Sequence, residues 1–236
     1  MLRLMTYNIQ HGIDYVHRLT KKEVVINLDK IVEIIKSVNP DIVSLNEVYD
    51  APVEFLEKQA EYIATKLGYY FVFGKAINIK GGEYGNALLS RYPLCDVSII
   101  PIPDALTHNE PVFYESRSII KTYINKEKKK YHIFVSHFGL AKEEQDNGTA
   151  LIKELVNNLD NVIFMGDLNL TPNDKNYYEI TKVLKNTVDE NIKTFPSINP
   201  ISRIDYIFIS KDINVIKGEV LKNVFSDHLP ITVDIE

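Results

Sequence analysis

Eight polar residues recur where apolar, strand-like runs stop. Asn8 closes Thr6-Tyr7-Asn8-Ile9, and Glu47 closes Ser44-Leu45-Asn46-Glu47. His137 follows Ile133-Phe134-Val135-Ser136, and Asp167 and Asn169 follow Val162-Ile163-Phe164-Met165-Gly166. Asp205 opens Ile204-Asp205-Tyr206-Ile207-Phe208, and Asp227-His228 precedes the last apolar run. Residues at strand ends project into the loops that form clefts in layered α/β folds. Four acids, two amides and two histidines on one rim would make an oxygen-rich cation site with acid–base groups beside it.

Each residue alone has a plainer reading. Asn8 could cap a turn, and Gly166-Asp167-Leu168-Asn169 has the composition of one. Glu47 could charge the start of a helix near Pro52. Asp227 could cap a loop, and His137 could be a satisfied interior histidine. Asp205 is harder to dismiss, because a carboxylate inside an apolar strand must have a partner.

The elements that must position these residues follow from periodicity. Strands are expected at Leu2 to Ile9, Asp41 to Asn46, Tyr69 to Ile79, Asn86 to Ser90, Cys95 to Ile102, Ser118 to Ile124 and Tyr131 to Ser136. Further strands are expected at Asn161 to Met165, Ile204 to Ile209, Val215 to Leu221 and Ile231 to Ile235. A helix over Lys22 to Val38 would carry Val24, Leu28, Ile31, Ile35 and Val38 on one stripe, stopped by Asn39-Pro40. Others are expected at Phe55 to Leu67, Lys142 to Leu159 and Asn176 to Leu184. No repeat or linker interrupts the 236 residues, so we read one domain, 1–236, of α/β class with mixed sheets.

Composition narrows the function classes. Hydrophobic residues are 45% and charged residues 25%, ordinary for a globular chain. No apolar run approaches the ~20 residues of a membrane-spanning helix. The single cysteine, Cys95, makes no internal disulfide and fits a reducing cytoplasm, with secretion open if a signal has been removed. The balance of 27 basic against 32 acidic residues gives a net charge of −5. The one dense basic run, Lys126 and Lys128 to Lys130, reads as a hairpin tip. Only five arginines occur (Arg3, Arg18, Arg91, Arg117 and Arg203), so each invites a search for a planar, bidentate role.

Taken together and in order, Tyr7-Asn8, Asn46-Glu47-Val48, Ser136-His137-Phe138, Gly166-Asp167-Leu168-Asn169, Arg203-Ile204-Asp205-Tyr206 and Ser226-Asp227-His228-Leu229-Pro230 resemble the endonuclease/exonuclease/phosphatase superfamily. Its members include deoxyribonuclease I, exonuclease III, neutral sphingomyelinase and the inositol polyphosphate 5-phosphatases. One departure is Asn46, where the family usually has glutamine. The resemblance implies a four-layered α/β sandwich, two mixed β-sheets packed face to face with flanking helices. It implies hydrolysis of a phosphodiester or phosphomonoester dependent on Mg²⁺, with Mn²⁺ as an alternative. Glu47 would be the main metal ligand, completed by Asn8 and Asp227. Asp167 would activate water beside Asn169, His228 paired to Asp205 would serve in proton transfer, and His137 would donate to a phosphate oxygen. Arg117 and Tyr84, beside Glu83, are expected to reach phosphate or to orient His137, with a surface ion pair as the other reading of Arg117.

Three alternatives remain at this point: a DNA or RNA nuclease, a sphingomyelinase-type lipid phosphodiesterase, and a catalytically dead binding homologue. The loops expected to rim the cleft carry Lys80, Arg18, His17, His108 and Lys142 against Asp14, Glu83, Asp104, Glu110, Glu115, Glu143, Glu144 and Asp146. Such a rim repels a polyanion, which favours a small or specialised phosphoester over nucleic acid. The oligomeric state is left open, and a monomer is compatible with the sequence.

Overall fold

The computed structural model describes residues 1–51, 58–79 and 81–236. In chain order its elements are β1 (Leu2–Asn8), a 3-10 turn (Gln10–Gly12), α1 (Tyr15–Lys21), α2 (Leu28–Val38), β2 (Ile42–Asp50) and α3 (Gln59–Leu67). Then come β3 (Tyr70–Ile79), β4 (Gly82–Ser90), β5 (Cys95–Ile102), β6 (Arg117–Lys126), β7 (Lys129–Ser136) and α4 (Lys142–Leu155). The chain continues through β8 (Val162–Asp167), α5 (Lys175–Thr181), β9 (Lys185–Asn186), β10 (Asp205–Ile209), β11 (Val215–Val220) and β12 (Ile231–Ile235).

The strands form two six-stranded sheets, ordered β11-β12-β1-β2-β4-β3 and β5-β6-β7-β8-β10-β9. Both are mixed: β1 with β2 and β7 with β8 run parallel, and the other pairs run antiparallel. Central strands are apolar on both faces because both are covered. In β1, Leu2 and Leu4 enter the layer between the sheets, where they meet Ile133, Val135 and Ile163 of the second sheet. Met5 and Tyr7 enter the outer layer with Ile31 and Ile35 of α2 and Ile63 of α3. Across the molecule, Ile152 of α4 and Ile180 of α5 cover Phe134, Phe164 and Phe208. The order is therefore helix, sheet, sheet, helix, the four-layered sandwich that the family resemblance implies. Truncating one inter-sheet side chain such as Ile133 to alanine should cost about 2–5 kcal/mol.

Several expected boundaries move. The helix expected over Lys22 to Val38 is two separate elements. Lys22 ends α1 in the left-handed conformation, Ile26 bridges Ile13, and the Asn27 side chain caps α2 by accepting from Lys30 N. Val24 consequently lies exposed, off the apolar stripe. The expected helix start at Phe55 falls outside the described residues, and α3 begins at Gln59. The α4 helix stops at Leu155, where Val156 caps it, instead of reaching Leu159. The lysine run does form a hairpin tip, with Glu127 at φ 56 between β6 and β7. None of the described helices is long and apolar enough to cross a membrane.

Candidate active site

Strand pairing brings the polar strand ends to one rim. Asn8 of β1 lies in register with Asn46 of β2, and Asp167 of β8 lies opposite Asp205 of β10. Because β1–β2 and β8–β10 belong to different sheets, something must hold the two rims together. Asn46 does so. Its Nδ2 donates to Asn86 Oδ1 of β4 (2.7 Å) and to Ser136 O of β7 (3.0 Å), while its Oδ1 accepts from Asp167 N (2.9 Å). Approach this close requires Gly166: its φ is +147°, and a Cβ there would stand 1.8 Å from Ser136 O.

Glu47 follows Asn46 in a bulge of β2, at φ 58. A bulge admits an extra residue and re-aims a side chain, and a left-handed non-glycine residue stores strain of the kind found at functional sites. Glu47 Oε2 accepts from the Tyr84 hydroxyl (2.9 Å), and Oε1 accepts from Asn8 Nδ2 (3.0 Å). Burial first, then the Glu47 charge, hold the Tyr84 phenol well above its ordinary pKa, so it stays a donor. The same Asn8 nitrogen donates to Asp167 Oδ2 (3.0 Å), linking the two carboxylates. Gln10 Nε2 donates to Asp227 Oδ2 (2.6 Å), while Gln10 Oε1 is a buried acceptor with no donor. Burial, and secondarily Glu47, raise the Asp227 pKa, with His228 opposing.

These residues fit a hard cation. Glu47, Asp227 and the orphaned Gln10 Oε1 are oxygen donors, each with lone pairs to spare. A second cluster, Asp167, Asp205 and His228, also places one ligand atom from each residue within 4.8 Å of the others. There, however, both Asp205 oxygens already take His228 Nδ1 (2.9 and 3.1 Å), so this group is a hydrogen-bonded chain before it is a metal cage.

Asp167 is the hub of the site. It is buried and receives Asn8 Nδ2 on Oδ2 and Asn169 N on Oδ1 (3.1 Å). His137 Nε2 and His228 Nε2 stand 3.5 and 3.6 Å from Oδ2. Burial raises its pKa and Asp205 adds to the rise, while His228 and the hydrogen bonds oppose it. Burial would lower the His228 pKa, but the Asp205 and Asp167 carboxylates outweigh it, so His228 holds its proton. The Phe195 ring covers His228 at a centroid distance of 4.7 Å. Tyr7 completes this side by accepting from Ser226 N (3.1 Å), which fixes the loop bearing Asp227 and His228.

His137 is held differently. Arg117 Nη1 lies 3.1 Å from Nδ1, and Arg117 Nη2 pairs with Glu115 Oε2 at 3.2 Å. Burial depresses the His137 pKa and the Arg117 charge depresses it further. Asn169 Nδ2, which donates to Phe138 O, lies 3.1 Å from Nε2.

A family model described as "Endonuclease/Exonuclease/phosphatase family" matches residues 5–228. The chain belongs to this family. The Escherichia coli K12 protein YbhP, itself uncharacterised, is 25% identical over 253 residues, covering 99% of this chain and 95% of that protein. Two solved structures share the endonuclease/exonuclease/phosphatase fold. A mannosyl-6-phosphatase of Bacteroides thetaiotaomicron aligns with TM-score 0.77, 18% identity and complete coverage of both chains. The catalytic domain of human nocturnin, with bound sulfate, aligns with TM-score 0.73 and 19% identity, over 100% of this chain and 93% of that one.

Within the family frame, Asn8, Glu47, His137, Asp167, Asn169, Asp205, Asp227 and His228 lie along one connected network, joined by Tyr84 and Arg117. Glu83 does not join it: its side chain faces solvent and pairs with Lys75 (3.1 Å). Of the expected rim groups, Lys80 lies outside the described residues. Glu144 is buried, taking Ala141 N and Glu115 N, and Asp146 accepts from Asn176. Sequence reasoning missed Gln10 and Asn86 as participants, and it singled out Asn46 only as a departure from the family's usual glutamine. An amide in an apolar strand, as at Asn46 and Asn86, was the available signal, because buried amides need partners.

Proposed function

We propose that this chain is a divalent-cation-dependent phosphoester hydrolase, with Mg²⁺ the expected ion and Mn²⁺ an alternative. The observation that carries the reading is the one amide nitrogen of Asn8, 3.0 Å from both Glu47 and Asp167. It sets an oxygen donor for a cation beside a buried carboxylate able to take a proton. Glu47 holds the cation, with Asp227 and Gln10 beside it and Asn8 positioning Glu47. When bound, the ion neutralises charge on the phosphate and on the leaving oxygen. Asp167 orients the attacking water and takes its proton, and Asn169 holds water or a phosphate oxygen. His137 offers its Nε2–H to a phosphate oxygen. Protonated His228, fixed by Asp205, donates to the scissile group or its leaving oxygen. Arg117 and Tyr84 act through His137 and Glu47.

The net charge of −5 favours a small or specialised phosphoester over duplex nucleic acid, whose nonspecific binding relies on several cationic contacts to phosphates. The mannosyl-6-phosphatase likeness supports including sugar phosphates among the candidates. The test is a panel of sugar phosphates, inositol phosphates, a chromogenic phosphodiester, sphingomyelin, RNA and plasmid DNA, each with Mg²⁺ and with chelator. The reading expects turnover of a small ester that chelation abolishes. Turnover unchanged in chelator, or none with any substrate, overturns it.

A further inference from the structure

Arg117 and Glu115 form an ion pair that is nearly out of water: their side chains are 9% and 11% exposed, with Nη2 3.2 Å from Oε2. Burying such a pair stabilises a fold little, because desolvation of both charges offsets their attraction. This pair is also incompletely satisfied. Among the described residues, Arg117 Nε and Glu115 Oε1 are buried without a hydrogen-bond partner. An unsatisfied buried polar atom costs free energy that an apolar side chain would not. Burial raises the Glu115 pKa, Arg117 opposes the rise, and Glu47 and Glu144 add to it. Fold stability therefore does not account for a carboxylate at this position.

What the pair does supply is direction. A guanidinium is a planar fork whose donors are fixed relative to one another. Glu115 holds Nη2, which leaves Nη1 on His137 Nδ1 at 3.1 Å. Glu115 is in turn anchored to the segment that carries the histidine. Its N donates to Glu144 Oε1 (3.1 Å), and Glu144 Oε2 accepts from Ala141 N (3.3 Å). Glu144 comes this close to the segment after His137 because residue 139 is glycine; a Cβ there would stand 1.9 Å from Glu144 Oε2. Both ends of the Arg117–His137 hydrogen bond thus hang on one buried carboxylate of α4.

We propose that Glu115 is a positioning residue for the hydrolysis: by holding Nη2 it aims Arg117 at His137 Nδ1 and so keeps the His137 Nε2–H directed into the cleft. This rests on the role given to His137 above. It adds a residue that acts only through Arg117.

The first measurement uses the whole protein in chelator without substrate, so failure of the hydrolase reading leaves it interpretable. In the parent, the ring nitrogen shifts of His137 should report the Nε2–H form. Glu115→Ala should give mixed tautomers. Glu115→Gln, which keeps an acceptor oxygen for Nη2, should largely restore the single form. Ile152→Val, a core change elsewhere on α4, should lower the melting temperature and leave the tautomer alone.

The second measurement is a double-mutant cycle on turnover. Glu115→Ala should lower kcat roughly tenfold with KM nearly unchanged, the pattern of an interaction made in the transition state. In an Arg117→Ala background it should cost nothing further, and there neither charge of the pair is left behind unpaired. Should Glu115→Ala not fold, Glu115→Gln replaces it in the cycle, with a roughly threefold loss in the parent and none beside Arg117→Ala. An unchanged His137 tautomer in Glu115→Ala, the same tautomer change in Ile152→Val, a loss that falls on KM alone, or additive losses in the cycle overturn the proposal.

Discussion

Arg117 Nη1 donates to His137 Nδ1 across 3.1 Å, and a guanidinium has only protons to offer. His137 Nδ1 must therefore be the bare nitrogen, and Nε2 carries the hydrogen. Of the two groups close to Nε2, only Asp167 Oδ2, at 3.5 Å, has lone pairs to offer, while the Asn169 amide nitrogen, at 3.1 Å, donates to Phe138 O. Arg117 thus decides which face of the imidazole donates into the cleft, and its charge adds to burial in keeping the ring neutral.

Replacing Arg117 should undo both effects. In Arg117→Gln we expect the His137 pKa to rise and nitrogen chemical shifts to report mixed tautomers. Turnover should fall roughly a hundredfold, as when an oxyanion donor is misplaced. A variant whose His137 remains locked as the Nε2–H form would show that Arg117 is not the lock.

His137 also ties stability to pH. Its folded pKa lies well below the ordinary value of 6.5, so the unfolded chain takes up the proton first. The contribution is therefore intact above about pH 6.5 and is lost as the pH falls, by about 1.4 kcal/mol per pH unit below it. Thermal melts from pH 8 to 5 should show this decline, and His137→Asn should flatten it.

Asp167 should show a conflict between stability and activity. Its raised pKa means that ionisation is resisted in the fold, so its contribution to stability is lost as the pH rises above the ordinary carboxylate range. Asp167→Asn should lose roughly a hundredfold or more in rate. The same variant should melt higher than the parent at pH 8, with the gap closing toward pH 5. Equal melting at both pH values would mean that the carboxylate is not strained by burial.

Glu47→Gln should raise the Mg²⁺ concentration for half-maximal activity by roughly tenfold or more, since even loss of a ligand's supporting bond costs 10–100-fold in affinity. Tyr84→Phe, which removes only the hydroxyl that holds Glu47, should shift the same curve by less. A curve unchanged in Glu47→Gln would remove Glu47 from the cation site.

Gly166→Ala tests the join between the sheets. The added Cβ meets Ser136 O at 1.8 Å and lies 3.4 Å from Asn46 Oδ1. We expect about 3 kcal/mol of destabilisation or more, from steric overlap together with backbone strain. Chemical denaturation reads the loss directly.

Much of this arrangement was legible in sequence because strand periodicity and strand-end polarity are local. Ile204 to Phe208 announced a buried acid at Asp205, and the acid has the partner that burial demanded, His228. Long-range events were not legible. The split of the helix expected from Lys22 depends on Ile26 pairing with Ile13, and the periodicity of Val24 and Leu28 carries no trace of it. The reach of Asn46 to Asn86, Ser136 and Asp167 depends on how two sheets meet. Arg117 stood out by rarity, but that it holds His137 while pairing with Glu115 needed coordinates.

The pairing of β1 with β12 joins Leu2 to Ile235, nearly the whole length of the chain, and β12 sits inside its sheet between β1 and β11. During synthesis β1 can pair with β2 early, but its other neighbour, β12, is made only from Ile231 onward. The Asn8–His228 approach waits equally long. A nascent chain that has not reached residue 228 therefore lacks the imidazole that meets Asp205 and Asn8, and its Asp205 carboxylate is without the partner its burial demands.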